Sequence, residues 1–127
     1  MNYYYKKETA LLFADAIEKT KEALANEGFG ILTEIDVKAT LKKKLDREYD
    51  NYVILGACNP ALAFEALTAE KDIGLLLPCN VVVYEQEGAV WVSALVPSVA
   101  MGFVKNPLLA PIANQVGAKL QKVVDAL

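Results

Sequence analysis

Two short blocks of the sequence contain the residue types best suited to chemistry. In each block a cysteine precedes an asparagine: Cys58, Asn59 and Pro60 form the first, and Cys79 and Asn80 form the second. Asn59 and Pro60 are typical of a helix start, because asparagine caps free N–H groups and proline is tolerated at the first helical position. Cys58 then precedes a helix N-terminus, where the helix dipole stabilises a thiolate. We take these five residues as the candidate ligand-binding site.

A thiol-centred site is one hypothesis for these blocks. In it, Cys58 binds a metal ion or is reversibly oxidised, with Cys79 as the resolving partner. A structural zinc ion needs about four ligands, so the cysteines would need a second copy of the chain or carboxylates such as Glu34 and Asp36. The chain has no C-x-x-C spacing, and we predict no metal or other cofactor. The simpler hypothesis is that both cysteines are small buried hydrophobic residues.

Histidine is absent from the 127 residues. Its absence removes the usual general base near neutral pH and the commonest ligand of zinc, copper and haem. Catalysis by a Ser-His-Asp triad or a Cys-His pair is therefore excluded. Neither cysteine has a carboxylate or a lysine next to it in the sequence. We expect a protein that is not an enzyme.

The charge balance bears on partners and location. The net charge of −3 and the pI of about 5.0 oppose nucleic-acid binding, which depends on neutralising phosphates with lysine and arginine. The N-terminal residues do not resemble a secretory signal, and no apolar run reaches the length of a membrane span. We therefore expect a cytoplasmic protein with neither nucleic acid nor membrane as partner, and free thiols rather than a disulfide.

The charged residues are distributed unevenly. Of the 29 charged residues, 19 lie within the first 50 positions, whereas residues 88–118 contain only Lys105. A small domain has few elements with which to cover both faces of such segments. We therefore predict that a second copy of the chain covers part of this surface, giving a homodimer. A well-covered monomer core is the alternative, because charge depletion marks ordinary interiors as well as interfaces.

Hydrophobic periodicity predicts a single α+β domain over residues 1–127. Strands are predicted at residues 3–5, 29–37, 52–58, 80–85 and 89–96, with further strand material at 73–77 interrupted by Pro78. Helices are predicted at residues 9–27, 38–45 and 61–69, and from 106 or 111 to the end. Glu87 and Gly88 supply a hairpin turn. The expected architecture is a sandwich of an antiparallel or mixed five-stranded sheet with helices on one face.

Aromatic residues offer one further candidate for a ligand pocket. Tyr84, Trp91 and the uncharged residues 97–104 could line an apolar cavity for a small molecule. The simpler interpretation places them in the core or in a subunit contact.

Three blocks of the sequence resemble the domain-of-unknown-function 302 family: residues 27–37, 55–63 and 75–84. The resemblance runs over nearly the whole chain. It implies a fold similar to the TATA-binding-protein-like class, with one strand, one helix, four strands and a last helix, and it implies a homodimer. It implies no particular reaction, substrate or cofactor. Likeness to a DNA-binding fold class does not transfer that function.

Two hypotheses about function follow. The first is a homodimeric, non-enzymatic module that binds an unknown small ligand or another protein. The alternative is the thiol-centred metal-binding or redox site on Cys58 and Cys79. We favour the first, because the chain lacks histidine and the distal half has few charges.

Overall fold

The structure is a computed structural model that describes residues 2–127. Five strands and five α-helices follow one another within these residues. In chain order they are β1 (Tyr4–Thr9), α1 (Phe13–Asn26), β2 (Gly30–Asp36), α2 (Val37–Leu45), β3 (Tyr52–Cys58), α3 (Pro60–Ala69), β4 (Cys79–Gln86), β5 (Ala89–Leu95), α4 (Pro97–Ala100) and α5 (Leu109–Asp125). A 3₁₀ helix over Lys71–Leu76 lies between α3 and β4.

The strands form one sheet in the order β1-β5-β4-β3-β2, and every neighbouring pair is antiparallel. The predicted α+β class, with helices on one side of a five-stranded sheet, is confirmed. The predicted hairpin is also present, since β4 and β5 are joined at Glu87 and Gly88, both with positive φ. Positive φ at both positions suits the twist of a two-residue hairpin.

One face of the sheet is buried under α1 and α5. Side chains with a spacing of two along the strands point to this face, and Leu55, Val81 and Val92 are among those that are fully buried. They pack against the apolar stripes of the two helices, which include Leu24 of α1 and Leu120 of α5. Each such side chain stabilises the fold by about 1.5–3 kcal/mol through removal of apolar surface from water.

The segment 73–77, which we predicted as strand, is instead part of the 3₁₀ helix. A short apolar run cannot distinguish a strand from a buried helical turn. Here Ile73 is buried in a second, smaller cluster with Ala66 and Met101, and Leu77 N–H donates to the carbonyl of Gly74. Strand β4 then begins directly after Pro78.

The two ends of the chain also depart from the prediction. Strand β1 pairs with β5 at the edge of the sheet and extends through its charged residues to Thr9. Helix α1 begins only at Phe13. Helix α5 begins at Leu109, between the two predicted starts. None of the helices within residues 2–127 combines the length and the apolar character that crossing a bilayer requires.

Candidate functional site

The first cysteine block forms the junction between β3 and α3. Asn59 Oδ1 accepts a hydrogen bond of 3.3 Å from Leu62 N–H, and Pro60 is the first residue of the helix. The predicted cap is therefore present. Cys58 is the last residue of β3 and is partly buried, so its position immediately before the cap is also as predicted.

Cys79 begins β4 and lies opposite Ala57 in the β3–β4 register, next to Cys58. Its side chain is buried, with 5% of the residue exposed. Burial, reinforced by the neighbouring Cys58, raises the pKa of the Cys79 thiol to about 11, because a thiolate is poorly solvated there. At neutral pH the thiol is therefore protonated, which opposes its use as a reactive group.

Both cysteines line one cavity, together with Asn59 and mainly apolar side chains of α3, α4 and α5. The cavity volume is about 40 Å³, which is space for about one water molecule rather than for an organic ligand. Pro60 lies outside the lining, and Asn80 lines a concavity elsewhere on the sheet. Across residues 2–127, no group of three or more cysteine and acidic side chains is arranged to hold a metal ion.

A larger concavity lies on the opposite face of the sheet, and we call it the tyrosine groove. Its volume is about 420 Å³. Five tyrosines line it: Tyr3, Tyr4, Tyr49, Tyr52 and Tyr84. Small and polar side chains, among them Asn80, Val82 and Ser93, also line it.

The strand register explains the shape of the tyrosine groove. Tyr52 of β3 lies opposite Tyr84 of β4, and Tyr84 lies opposite Trp91 of β5, so bulky side chains form one row across the sheet. In the next row on the same face, Val82 lies opposite Ser93. A row of rings beside a row of small residues produces a trough with aromatic walls.

The rings of the groove pack against one another. The Tyr52 and Tyr84 rings are stacked, with centroids 5.5 Å apart and planes 12° apart. Tyr49 extends this group, because its ring centroid lies 6.4 Å from that of Tyr52. The Tyr3 and Tyr4 rings meet edge to face at 5.3 Å. Such ring pairs hold the walls of the groove in place.

Charges of opposite sign lie at different positions around the groove. Lys6 Nζ lies 4.8 Å from the centre of the Trp91 ring and 5.3 Å from that of Tyr4, and it donates a hydrogen bond of 3.2 Å to Tyr84 Oη. This hydrogen bond is the largest cause of a raised pKa at Lys6. Asp50 supplies a carboxylate to the lining. The Glu85 side chain alternates with that of Tyr84 and therefore points to the covered face, where it accepts a hydrogen bond of 2.8 Å from Asn51 Nδ2.

Exposed apolar side chains form a third surface feature, which we call the apolar patch. Its members are Phe64, Leu67, Leu75, Phe103 and Leu108. Phe64 and Leu67 are neighbours on one face of α3 by their spacing of three. Gly74, next to Leu75, lies against the Leu67 side chain.

The loop that carries the other two members of the patch is attached to the end of α3. Asn106 Nδ2 donates hydrogen bonds to the carbonyl of Ala69 at 2.8 Å and to Glu70 Oε1 at 3.0 Å. Phe103 and Leu108 therefore lie in the same region as α3.

Comparison with known proteins gives the family. The sequence model described as "Domain of unknown function DUF302" matches residues 5–127. The chain belongs to the DUF302 family. The protein is also similar to a solved structure described as an uncharacterized conserved protein DUF302 from Bacillus stearothermophilus, with 29% identity and a TM-score of 0.94. That similarity covers 99% of this chain and 98% of the other. Among curated proteins, no significant match is found.

The tyrosine groove of this DUF302 domain was only partly accessible to sequence reasoning. The sequence indicates Tyr84, Trp91 and residues 97–104 as one apolar pocket. Of these, Tyr84 lines the groove, Trp91 and the segment do not, and Pro97 and Met101 line the small cavity instead. In the chain described here, Tyr4 lines the groove. Tyr5 instead packs on the covered side of the sheet and donates a hydrogen bond of 2.6 Å to Asp125 Oδ1. The pairing of β1 with β5 decides which of these tyrosines faces the groove, and the sequence alone does not specify that pairing. A TATA-binding-protein-like fold stays a prediction for this DUF302 domain.

Proposed function

We propose that this protein is a homodimeric, non-enzymatic domain that binds a small organic molecule in the tyrosine groove. The observation that carries the proposal is the groove itself, with a volume of about 420 Å³ and five tyrosines in its lining. Ligand pockets usually have volumes of about 300–1,000 Å³, with aromatic walls and a few polar groups. The cavity beside the cysteines, at about 40 Å³, is too small for such a ligand.

The chemistry of the lining suits binding. Burial is the largest cause of a raised pKa at Tyr52, so this phenol keeps its proton at neutral pH and offers an O–H group and a ring face. Asn80 and Ser93 add an amide and a hydroxyl to the lining. Rings provide apolar contact area, and the few polar groups orient what lies on them.

A nuclear magnetic resonance titration with 1-naphthylmethylamine, 1-naphthalenemethanol and 1-naphthoate tests the ligand-binding proposal. These probes share an aromatic body and differ in charge. We expect at least one probe to bind with a Kd on the order of millimolar, as ligands of this size do, and to shift the amide signals of Tyr52, Val82 and Ser93. Tyr49→Ser should weaken that binding. Leu12→Ser, which changes an exposed apolar side chain outside both the groove and the apolar patch, is the matched control.

Two results of this titration would contradict the ligand-binding proposal. The first is that none of the three probes shifts the groove signals. The second is that Tyr49→Ser and Leu12→Ser leave binding equally unchanged, because the probe would then bind away from the groove.

The apolar patch supports the homodimer. Phe64, Leu75 and Phe103 each leave more than two-thirds of their surface exposed, at 73%, 86% and 71%. Large exposed apolar side chains grouped in one region are typical of protein–protein contacts, and aromatic residues are enriched in such contacts. The patch includes part of the segment 88–118, whose only charged residue is Lys105. We propose that a second copy of the chain covers the patch. A cytoplasmic location remains part of the proposal.

Light scattering coupled to gel filtration tests the dimer. We expect the mass of two chains for the unaltered protein and for Tyr49→Ser. The double variant F64S/F103S should give the mass of one chain, because it removes two apolar anchors from the contact. A monomer of the unaltered protein at a concentration of about 100 μM would contradict the proposal, since a stable homodimer has a Kd far below this value.

A further inference from the structure

We infer that the ligand of the tyrosine groove is an organic carboxylate with an apolar body, and that Lys6 and Tyr84 bind its carboxylate group. This inference rests on the proposed function, because it names the class of ligand for the same groove. Three observations support it: the position of the Lys6 ammonium on the open face of the sheet, the hydrogen-bond donors that Lys6 and Tyr84 leave unused, and the apolar floor beside them.

The Lys6 ammonium lies on the same face of the sheet as the groove. Lys6 follows Tyr4 by two residues and lies opposite Ser93 of β5, so its side chain shares a face with these two lining residues. Lys6 Nζ lies 5.3 Å and 6.0 Å from the centres of the Tyr4 and Tyr84 rings, which both line the groove. Ring faces attract an ammonium group at such distances. The groove therefore has a positive charge at the side formed by β1.

The ammonium and the Tyr84 hydroxyl have donors without a protein acceptor. An ammonium has three N–H donors, and within residues 2–127 Lys6 Nζ donates to a single oxygen, Tyr84 Oη, at 3.2 Å. Because Tyr84 Oη accepts this hydrogen bond, its own O–H is directed elsewhere, and no acceptor for it is found in the same part of the chain. Two N–H groups and one O–H group are therefore available to an acceptor from outside the chain.

These unused donors match a carboxylate. A carboxylate only accepts hydrogen bonds, and each of its two oxygens can accept from a different donor. The hydrogen bond with Tyr84 is the largest cause of a raised pKa at Lys6, so the ammonium is charged at neutral pH. A charged donor forms a stronger hydrogen bond with a carboxylate than a neutral donor does. One ammonium also balances the single negative charge of one carboxylate.

Two protein carboxylates on the open side restrict where the ligand carboxylate can lie. Asp50 lines the groove just before β3, on the other side of the groove from β1, and Glu8 lies opposite Trp91 at the β1 edge. Both residues are exposed, so water weakens their repulsion of an anion. Neither forms an ion pair with Lys6 within the described residues. The remaining repulsion from Asp50 directs the anionic group of a ligand toward Lys6 and Tyr84.

The floor of the groove suits the apolar body of the ligand. Ser93 lies opposite Lys6, and Val82 lies opposite Ser93, so these three residues form one row across the open face. Val82 lines the groove and presents apolar surface, which gains from contact with carbon rather than with a hydrated ion. A ligand that contacts this row as well as Lys6 and Tyr84 carries its negative charge at one end of an apolar body.

The three naphthyl probes separate this inference from the proposed function. We expect 1-naphthoate to bind about fivefold more tightly than the neutral 1-naphthalenemethanol, and 1-naphthylmethylamine to bind no more tightly than the alcohol. Lys6→Met keeps an apolar side chain and removes the charge. It should abolish the preference for 1-naphthoate and change the Kd of the alcohol by less than about twofold. Lys6→Arg should keep the preference, because it retains a charged donor.

Lys7→Met is the matched control. Lys7 is the next residue of β1 and its side chain alternates with that of Lys6, so it points away from the groove. Its Nζ donates a hydrogen bond of 3.3 Å to the carbonyl of Asp125. The control removes the same charge from the same strand, and the preference for 1-naphthoate should survive in it.

Each outcome decides one of the two claims. Equal binding of 1-naphthoate and the alcohol by the unaltered protein would overturn the carboxylate inference and leave the proposed function standing. A preference that survives in Lys6→Met, or that is lost equally in Lys7→Met, would also overturn the inference, because Lys6 would not be the source of the selectivity. Loss of alcohol binding in Lys6→Met would do the same, since Lys6 would then shape the groove. If none of the three probes binds, the proposed function fails as well.

Discussion

One face of the sheet is sealed by α1 and α5, whereas the other face remains open and carries the tyrosine groove. The same strands build both. In β4, Val81 and Val83 are fully buried, while Val82 and Tyr84, which alternate with them, line the groove. The covered face contributes stability through close packing, and the open face presents rings and polar groups. Neighbouring residues of one strand therefore have different roles, and substitutions can separate these roles.

The comparison is tested most strongly by a pair of substitutions in β3. Leu55 is fully buried on the covered face, and Ile54 is partly buried and belongs to the alternate set. Leu55→Ala should lower the free energy of unfolding by about 2–5 kcal/mol, because it leaves a cavity. Ile54→Ala should cost about 1 kcal/mol. Urea unfolding followed by circular dichroism measures both. Equal losses would break the distinction between the faces.

The pH dependence of stability tests the burial of Cys79 on the covered face. Its pKa is raised to about 11 from 9.0 for an unperturbed thiol. The folded state therefore binds the thiol proton more tightly than the unfolded chain does, so this contribution is complete below pH 9 and is lost as pH rises toward 11. The loss should be about 2–3 kcal/mol.

Replacing the thiol isolates this contribution. Cys79→Ala should remove the part of the alkaline decline that Cys79 causes, measured by urea unfolding at pH 8, 9 and 10. Val53→Ala is the control, since it alters a buried side chain of β3 that does not titrate; it should lower stability equally at each pH. An unchanged decline in Cys79→Ala would show that the thiol is not held protonated by burial.

Substitution of the two asparagines that follow the cysteines should give a smaller difference in stability between the two regions. Asn59 caps α3, and Asn59→Ala should cost about 1 kcal/mol of stability. Asn80 is exposed and lines the groove, so Asn80→Ala should change stability by less than about 0.5 kcal/mol. Thermal unfolding followed by circular dichroism distinguishes them. A larger loss for Asn80→Ala would mean that the open face contributes to stability in a way that its exposure does not suggest.

Local features of the fold were predictable because they depend on neighbouring residues. The cap at Asn59, the proline at the start of α3 and the turn at Glu87 and Gly88 all follow from side-chain chemistry within a few positions. The segment 73–77 was misassigned, because its apolar character suits either a strand or a helical turn, and tertiary contacts of Ile73 decide between them.

The candidate site depends on contacts between distant parts of the chain. The groove needs β1 beside β5, with Tyr4 opposite Leu95, and no local signal gives that register. The cysteine blocks were predicted to lie at strand boundaries, and they do. The size of the cavity between them is set by packing against α4 and α5, which the pattern of residues does not reveal. Residue types therefore indicate candidate site residues. The topology places Asn80 in the tyrosine groove and leaves Cys58, Asn59 and Cys79 at the small cavity.

The central claim is that the tyrosine groove is the ligand-binding site of this DUF302 domain. A crystal structure determined with 1-naphthoate tests it most directly. The account predicts the naphthyl ring in the groove against Tyr49, Tyr52 and Val82. A complex in which the probe lies in the cavity beside Cys58 and Cys79, with the groove empty, would contradict the claim.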